Sequence, residues 1–354
     1  MKAIVLVGGR GTRLRPLTPR TPKQLVPILN RPLLEYLLRR LQLHGVRDVT
    51  LAMTAPNEAI EKTFGDGAHL GLSIERVYEG EPLGSGGAIA TCAAGWDEPF
   101  LVCNGDLVCD IDIGLMIAAH RARSAELSIA LYEVDDPSRF GVVALDGDRI
   151  TRFVEKPPAA EAPSNLINAG VWLFEPHVAR ELDATRFNRV EDELFPGMAD
   201  GGRAIVGFHH RGYWADVGTS AAYLQTNIDL LRGDAPALAA EGFPALLDEG
   251  ATVAASAMLG MGVVAGAGCR IEPGAFVTAS VLWDGVHIGE GARVDRSVLA
   301  TGARVGAGAV LEGVVLGHGA EVAAGEHPPE GTEVDDETVF RDGAIHPVAG
   351  SRSA

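Results

Sequence analysis

Short apolar runs recur through residues 1–231, among them Ala3 to Val7, Val49 to Met53 and Phe100 to Cys103, separated by stretches with a helical rhythm. Leu33, Leu34, Leu37, Leu38 and Leu41 form one helical stripe closed by Gly45, and the pattern predicts a second helix over 86–94. Strands alternating with helices predict an α/β domain over 1–231 on a Rossmann-like, mixed and mainly parallel sheet. Asp146-Gly147, set between Val142-Val143 and the run from Ile150 to Val154, predicts a tight hairpin and with it some antiparallel pairing.

The rhythm then changes. Ile271, Ile288, Val305 and Val322 recur every 17 residues, in step with Gly274, Gly291, Gly308 and Gly325 and with a second column of Gly268, Gly285, Gly302 and Gly319. Ala275, Ala292 and Ala309 align as well, as do Val281, Val298 and Val315, and Val277, Val294 and Leu311. Roughly six-residue steps that open on an aliphatic and turn on small residues fit a three-sided parallel β-helix, with aliphatics inward and glycines at the corners. Residues 251–326 are assigned to this helix, resembling the left-handed hexapeptide-repeat type, with about four coils. Residues 232–250 read as a linker, and the Pro-, Gly- and acid-rich 327–354 as a loose cap or tail.

Composition narrows the function classes. The 354 residues are 47% apolar, enough for two cores, and the formal net charge is -17. Such a charge repels nucleic-acid backbones and anionic membranes, so neither is an expected partner, and a phosphate ligand needs a local cationic site or a metal. The uncharged stretch from Ala251 to Cys269 has the length of a membrane span, but it is built of small residues and keeps step with the repeat. The four cysteines, Cys92, Cys103, Cys109 and Cys269, lack CxxC or zinc-ligand spacing and read as buried thiols. Their reduced state, and a first strand too short for a signal peptide, predict a cytoplasmic protein.

One segment concentrates positive charge in this acidic chain. The run Val7-Gly8-Gly9-Arg10-Gly11-Thr12-Arg13-Leu14-Arg15-Pro16 ends the first strand in glycines, and Thr21-Pro22-Lys23-Gln24 follows. Glycines at a strand's carboxyl end let backbone amides approach a ligand, arginine matches phosphate oxygens and lysine adds a mobile charge. The glycines alone equally suit a plain tight turn. A dinucleotide loop would continue as GxGxxG and a P-loop would end in Gly-Lys-Ser/Thr, and neither pattern is present.

Taken with TPKQLVPILNRPLLEY, the run GGRGTRLRPLT resembles the signature of the sugar-nucleotide pyrophosphorylases, and most closely the mannose-1-phosphate guanylyltransferase branch, whose members often carry a β-helix. The resemblance extends over the whole chain. It implies a nucleotidyltransferase that makes a nucleoside diphosphate sugar and pyrophosphate from a nucleoside triphosphate, GTP favoured, and a sugar 1-phosphate. Mg²⁺ assists, and a homo-oligomer is expected. Leu6, Gly8, Gly9, Gly11, Thr12 and Arg13 fall at nucleotide-binding positions, with Arg13 and Lys23 neutralising the triphosphate. The branch more often has PKP where this chain has Pro22-Lys23-Gln24, which leaves thymidylyl and uridylyl transfer to glucose 1-phosphate as the alternative.

Further motifs fill out the site. The strand ending at Cys103 runs into Asn104-Gly105-Asp106, which sets a carboxylate at the edge where ligands of α/β sheets gather. By resemblance Asp106 and Asp216, the latter in GYWADVG, are the metal pair; Mg²⁺ keeps waters and takes phosphate oxygens, so two carboxylates suffice. In FVEKP, the lysine at 156 matches a sugar-phosphate grip and Glu155 a hydroxyl acceptor, with Gly141, Asn168 and Gly170 at further sugar positions. Strand alternation predicts that Glu155 and Lys156 face opposite ways and do not pair. For the base, Glu81, Pro82 and Gly86 lie in EPLGSGG, and a carboxylate at Glu81 accepts from guanine N1 and N2, which favours GTP.

Remaining polar residues take plain readings. His209-His210 is structural, Glu191-Asp192-Glu193 is a helix start favoured by the backbone dipole, and His287 and His318 are surface residues. The rival from another class is a non-catalytic regulatory or scaffold subunit, which tends to lose the charged residues that Arg13, Lys23, Asp106, Lys156 and Asp216 retain. The expected chemistry is direct in-line attack of the sugar phosphate on the α-phosphorus.

Overall fold

The computed structural model describes residues 1–9, 11–238 and 244–347. Arg10, the middle of the expected linker and the last residues of the expected tail lie outside the described residues. By contacts the chain divides into two compact units, 1–9 with 34–214 and 10–33 with 215–354.

Nine strands of the first unit form one sheet: β1 Lys2–Leu6, β2 Asp48–Met53, β3 Ser73–Tyr78, β4 Phe100–Asn104, β5 Leu127–Glu133, β6 Gly141–Asp146, β7 Arg149–Glu155, β8 Leu166–Phe174 and β9 Ile205–His209. Their order is β3-β2-β1-β4-β8-β5-β9-β7-β6. Parallel pairing runs from β3 to β4 and recurs at β5/β9. The pairs β4/β8, β8/β5, β9/β7 and β7/β6 are antiparallel. The sheet is mixed as expected, but parallel pairing dominates only the half that begins at β3. The buried runs of β4, β5 and β8 read alike in either direction, so apolar pattern alone carries no strand polarity.

Local expectations hold in detail. The leucine stripe lies on the helix Leu33–Leu43, with all five leucines buried and Gly45 at φ 83. Arg149 pairs with Asp146 across a two-residue turn in which Gly147 has φ 63, the predicted hairpin. The second helix runs from Gly84 to Cys92 and buries Ala88, Ile89 and Cys92 in a core with Ile4, Val102, Trp172 and Phe174. Burial pushes the thiols of Cys92 up to about 12 and of Cys109 and Cys269 up to about 11, which suits unreactive core residues.

The second unit contains the parallel β-helix, and it is longer than the repeat columns reveal. Its first face already begins with Ala245–Leu247, inside the expected linker, and continues through six strands to Glu333–Val334. Thr338–Arg341 adds to a second face and Ala344–Pro347 folds back antiparallel on it, so the described part of the expected tail is structured. The repeat was hidden at both ends because the register there steps by 18, from Ala245 to Val263 and from Val315 to Glu333, instead of the central 17 of Val281 to Val298. Ile271, Ile288, Val305 and Val322 fill the core, and the eight column glycines all sit at φ between 63 and 72. On the first face Leu282, Leu299 and Leu316 point into that core, while Val281 and Val298 are buried on the other side of the same strands. Among the described residues no helix is long and apolar enough to cross a membrane.

Candidate active site

In the first unit several of the expected site residues lie along the carboxyl edge of β1 and its neighbours. Leu6 ends β1, and its carbonyl accepts from Gly105 N at 3.0 Å, so the strand end carrying Gly8 and Gly9 lies beside the turn that carries Asp106. A Cβ on Gly8 would come within 3.2 Å of Thr54, whereas Gly9 has open space around it. The Leu6 carbonyl is therefore committed to the fold, while the backbone at Gly9 is bare and open.

Sheet register gathers the expected sugar residues. Gly141 is opposite Glu155, Val142 is opposite both Val154 and Ile167, and Asn168 follows Ile167. A Cβ on Gly141 would crowd the Phe153 ring and lie 3.0 Å from Glu155 Oε2, so this glycine makes room for the carboxylate. The Asn168 amide oxygen accepts from Gly170 N at 3.0 Å and from Trp172 Nε1 at 2.7 Å, across an irregularity between Asn168 and Trp172 in the β8/β5 ladder. Gly170 has φ 73, and a Cβ there would come 2.6 Å from the Asn104 side chain, a placement glycine alone tolerates. Trp214 closes this side, donating from Nε1 to Ala169 O at 2.9 Å and meeting the Phe140 ring edge-on at 5.7 Å.

Glu155 and Lys156 pair, contrary to the strand rule. β7 stops at Glu155, and Lys156 takes φ 46, which turns its side chain back so that Nζ lies 3.0 Å from Glu155 Oε1. Arg189, which nothing in the local sequence marks, approaches the same oxygen at 3.1 Å. Glu191 lies in the first turn of the helix Val190–Leu194, the expected helix start, but does more than meet its dipole. It is buried, accepts from Ser85 Oγ at 2.6 Å, and burial raises its pKa against that hydrogen bond.

The expected base loop has exposed and buried positions. Glu81 and Pro82 are exposed, where a ligand can reach them. Gly86 is buried, its amide donates to Asn188 O at 3.0 Å, and a Cβ would collide with Asn188 Oδ1. The absence of a side chain here lets the helix start pack closely against Asn188.

The second unit carries the expected cationic residues Arg13 and Lys23 and the carboxylate of Asp216. Gly11, at φ 62, opens a short turn Thr12–Leu14 that carries Arg13, and its carbonyl accepts from Thr18 Oγ1 at 2.8 Å. A Cβ on Gly11 would lie 3.1 Å from Lys23 Cβ, and one on Gly218 would lie 3.1 Å from Arg13 Nη2 and 3.2 Å from Asp216 Oδ1. Gly218 thus leaves room where Arg13 and Asp216 come together, and Gly11 packs against the stem of Lys23, which is itself buried. Each of Asp106 and Asp216 offers hard carboxylate oxygens of the kind that Mg²⁺ or a similar cation takes. Among the described residues there is no cluster of three or more His, Cys, Asp and Glu that could hold a metal ion.

Residues 2–233 match the model of the nucleotidyl transferase family, and residues 243–327 match the GMPPB C-terminal domain. The chain belongs to the nucleotidyl transferase family. It is 40% identical over 291 residues to a mannose-1-phosphate guanylyltransferase of Mycobacterium tuberculosis (strain ATCC 25618 / H37Rv), covering 81% of this chain and 80% of that protein. Mannose-1-phosphate guanylyltransferase 1 of Arabidopsis thaliana is 34% identical over 302 residues, covering 81% and 82%. Among solved structures, HddC from Yersinia pseudotuberculosis complexed with GMP-PN matches with a TM-score of 0.54 and 26% identity, covering 64% of this chain and 97% of that one. Within the nucleotidyl transferases this family member sits with the mannose-1-phosphate guanylyltransferases, and its relatives are sugar-1-phosphate nucleotidyltransferases. The family generally uses a divalent metal.

Proposed function

We propose that this protein joins GTP to mannose 1-phosphate, giving GDP-mannose and pyrophosphate. The observation that carries the reading is 40% identity over 81% of the chain to a protein named for that reaction, in a chain that has Arg13, Lys23, Asp106, Lys156 and Asp216. The relative crystallised with GMP-PN adds support for a guanine nucleotide. The exposed Glu81 carboxylate accepts from guanine N1–H and N2–H.

A phosphate oxygen of mannose 1-phosphate attacks the α-phosphorus of GTP in line; a new P–O bond forms as the bond to the β-phosphate bridge breaks, and pyrophosphate leaves. Asp106 and Asp216 would hold the divalent metal, taken as Mg²⁺, which would supply neutralising charge to the phosphates. Arg13 and Lys23 neutralise the departing pyrophosphate, and the Gly8-Gly9 backbone cradles the triphosphate. Lys156 orients the attacking phosphate, and Glu155 with Asn168 receives sugar hydroxyls. The chemistry needs no nucleophile from the protein. Reduced, buried thiols suit a cytoplasmic setting.

The reading is tested by measuring pyrophosphate release for GTP, dTTP, UTP, ATP and CTP against mannose, glucose and N-acetylglucosamine 1-phosphates, with and without Mg²⁺. GTP with mannose 1-phosphate should turn over fastest, and only with the metal. Preference for dTTP or UTP with glucose 1-phosphate would reassign the substrates, and no turnover with any pair would assign a scaffold role.

A further inference from the structure

The segment that carries Arg13 and Lys23 is held, within the second unit, by the β-helix and by the helix Ser220–Arg232. Two backbone carbonyls and one amide of that segment are taken by buried side chains. His318 Nε2 lies 3.2 Å from Leu17 O and 3.2 Å from Thr21 Oγ1. A carbonyl only accepts, so His318 carries its proton on Nε2. Tyr223 donates its hydroxyl to Pro27 O at 2.6 Å and accepts from Trp283 Nε1 at 2.8 Å. One helical turn on, Asn227 Oδ1 accepts from Leu29 N at 2.8 Å, while its amide donates to Tyr223 O at 2.9 Å.

These anchors are joined to each other. The Trp283 ring meets His318 edge-on at 5.4 Å and Tyr223 at 6.3 Å, and His318 N donates to Asp336 Oδ1 at 2.7 Å. Tyr223, Asn227, Trp283 and His318 are all buried. Fixed at Leu17 and at Pro27–Leu29, the intervening stretch with Lys23 has little freedom to shift, and Arg13 is tied to it through the Thr18 bond to Gly11. Hydrogen bonds of this kind, made in a dry interior, are costly to leave half-made.

We propose that Trp283, His318, Tyr223 and Asn227 form a clamp by which the β-helix positions the Arg13–Lys23 segment for the triphosphate. They are positioning residues: none is assigned a contact with substrate. The inference rests on the reading of Arg13 and Lys23 as triphosphate ligands. It gives the β-helix a part in GTP use beyond carrying its own fold.

The test uses the full-length protein with Tyr223→Phe, which removes one oxygen, and His318→Leu, with His318→Gln as the variant that restores a donor. Amide hydrogen exchange of residues 11–29 is followed without substrate, alongside melting temperature and steady-state kinetics. Exchange in 11–29 should rise while the central β-helix coils stay protected. KM for GTP should rise about 10-fold while KM for mannose 1-phosphate changes less than about 2-fold, with His318→Gln recovering most of the loss. Unchanged exchange in 11–29, or faster exchange with unchanged GTP kinetics, overturns the clamp. Lys23→Ala and Arg13→Ala run in parallel separate the two failures: if they keep full turnover the triphosphate reading fails, whatever the exchange data report. Should His318→Leu not fold, Tyr223→Phe carries the same readouts.

Discussion

Arg189 Nη2 lies 3.1 Å from Glu155 Oε1, although the two residues are 34 positions apart, and the Lys156 ammonium approaches that same oxygen at 3.0 Å. Glu155 is largely covered while Lys156 is more than half exposed, so the carboxylate is the fixed centre and the lysine the mobile arm. With Arg189 sharing the negative charge, Lys156 can swing toward a phosphate without leaving Glu155 unpaired. Arg189→Ala should therefore bind Lys156 more tightly to Glu155 and weaken its hold on the sugar phosphate. The expected result is a rise in KM for mannose 1-phosphate of about 10-fold, the scale of one charge-assisted hydrogen bond, with KM for GTP unchanged. Initial-rate kinetics in both substrates check it.

Arg13 and Lys23 sit where a short turn and a buried start of the next turn hold their backbones close to Gly11. Alanine at either should cost roughly 2 to 4 kcal/mol of transition-state stabilisation, the scale of a lost preorganised donor. The loss should appear in kcat/KM for GTP and leave binding of mannose 1-phosphate alone nearly unchanged. Calorimetric titration with the sugar phosphate separates the two terms.

The β-helix core was legible because each coil repeats the same inward aliphatic and the same positive-φ glycine, a signal that accumulates over Ile271, Ile288, Val305 and Val322. Its ends were not, since an 18-residue step breaks the columns and Glu333–Val334 carries an acid where the column has valine. Asp106 could be placed at a sheet edge because a buried strand must end where polar residues begin. Lys156 defeated the alternation rule because that rule assumes continued extended backbone, and its φ of 46 is a local departure that no periodicity encodes. Arg189 and His318 were invisible for another reason: each acts through a partner distant in the sequence, Glu155 for one and Leu17 for the other. His318 was read as a surface residue, yet it is buried, because its coil lies against the 10–33 segment of the same unit.

Gly86 and Gly9 differ in the space around them. At Gly86 a Cβ would strike the Asn188 side chain, while at Gly9 nothing lies within 4 Å. Gly86→Ala should destabilise the fold by about 1 to 3 kcal/mol, the usual cost of overpacking, and lower the melting temperature. Gly9→Ala should leave the melting temperature in place and raise KM for GTP, since the added methyl would stand where the triphosphate meets the backbone. Thermal denaturation and GTP kinetics on the two variants would reveal any exchange of these roles.

Glu126 sets an acid limit on the first unit. Arg203 donates to its Oε2 from Nε at 3.0 Å and from Nη2 at 2.6 Å, and His177 and the Ala204 amide add further donors at 3.2 Å. The Arg203 side chain, opposed by partial burial, holds the Glu126 carboxyl down to about 2 from its usual 4.5. A carboxyl depressed on folding releases its proton more readily in the native state, so its contribution is fully present above 4.5 and is lost as pH falls toward about 2. Glu126→Gln keeps the shape but not the charge. The variant should be less stable than the parent at neutral pH, and its stability should fall less steeply between those two values. Urea unfolding at a series of pH values measures both, and parallel curves for variant and parent would remove Glu126 from the acid transition.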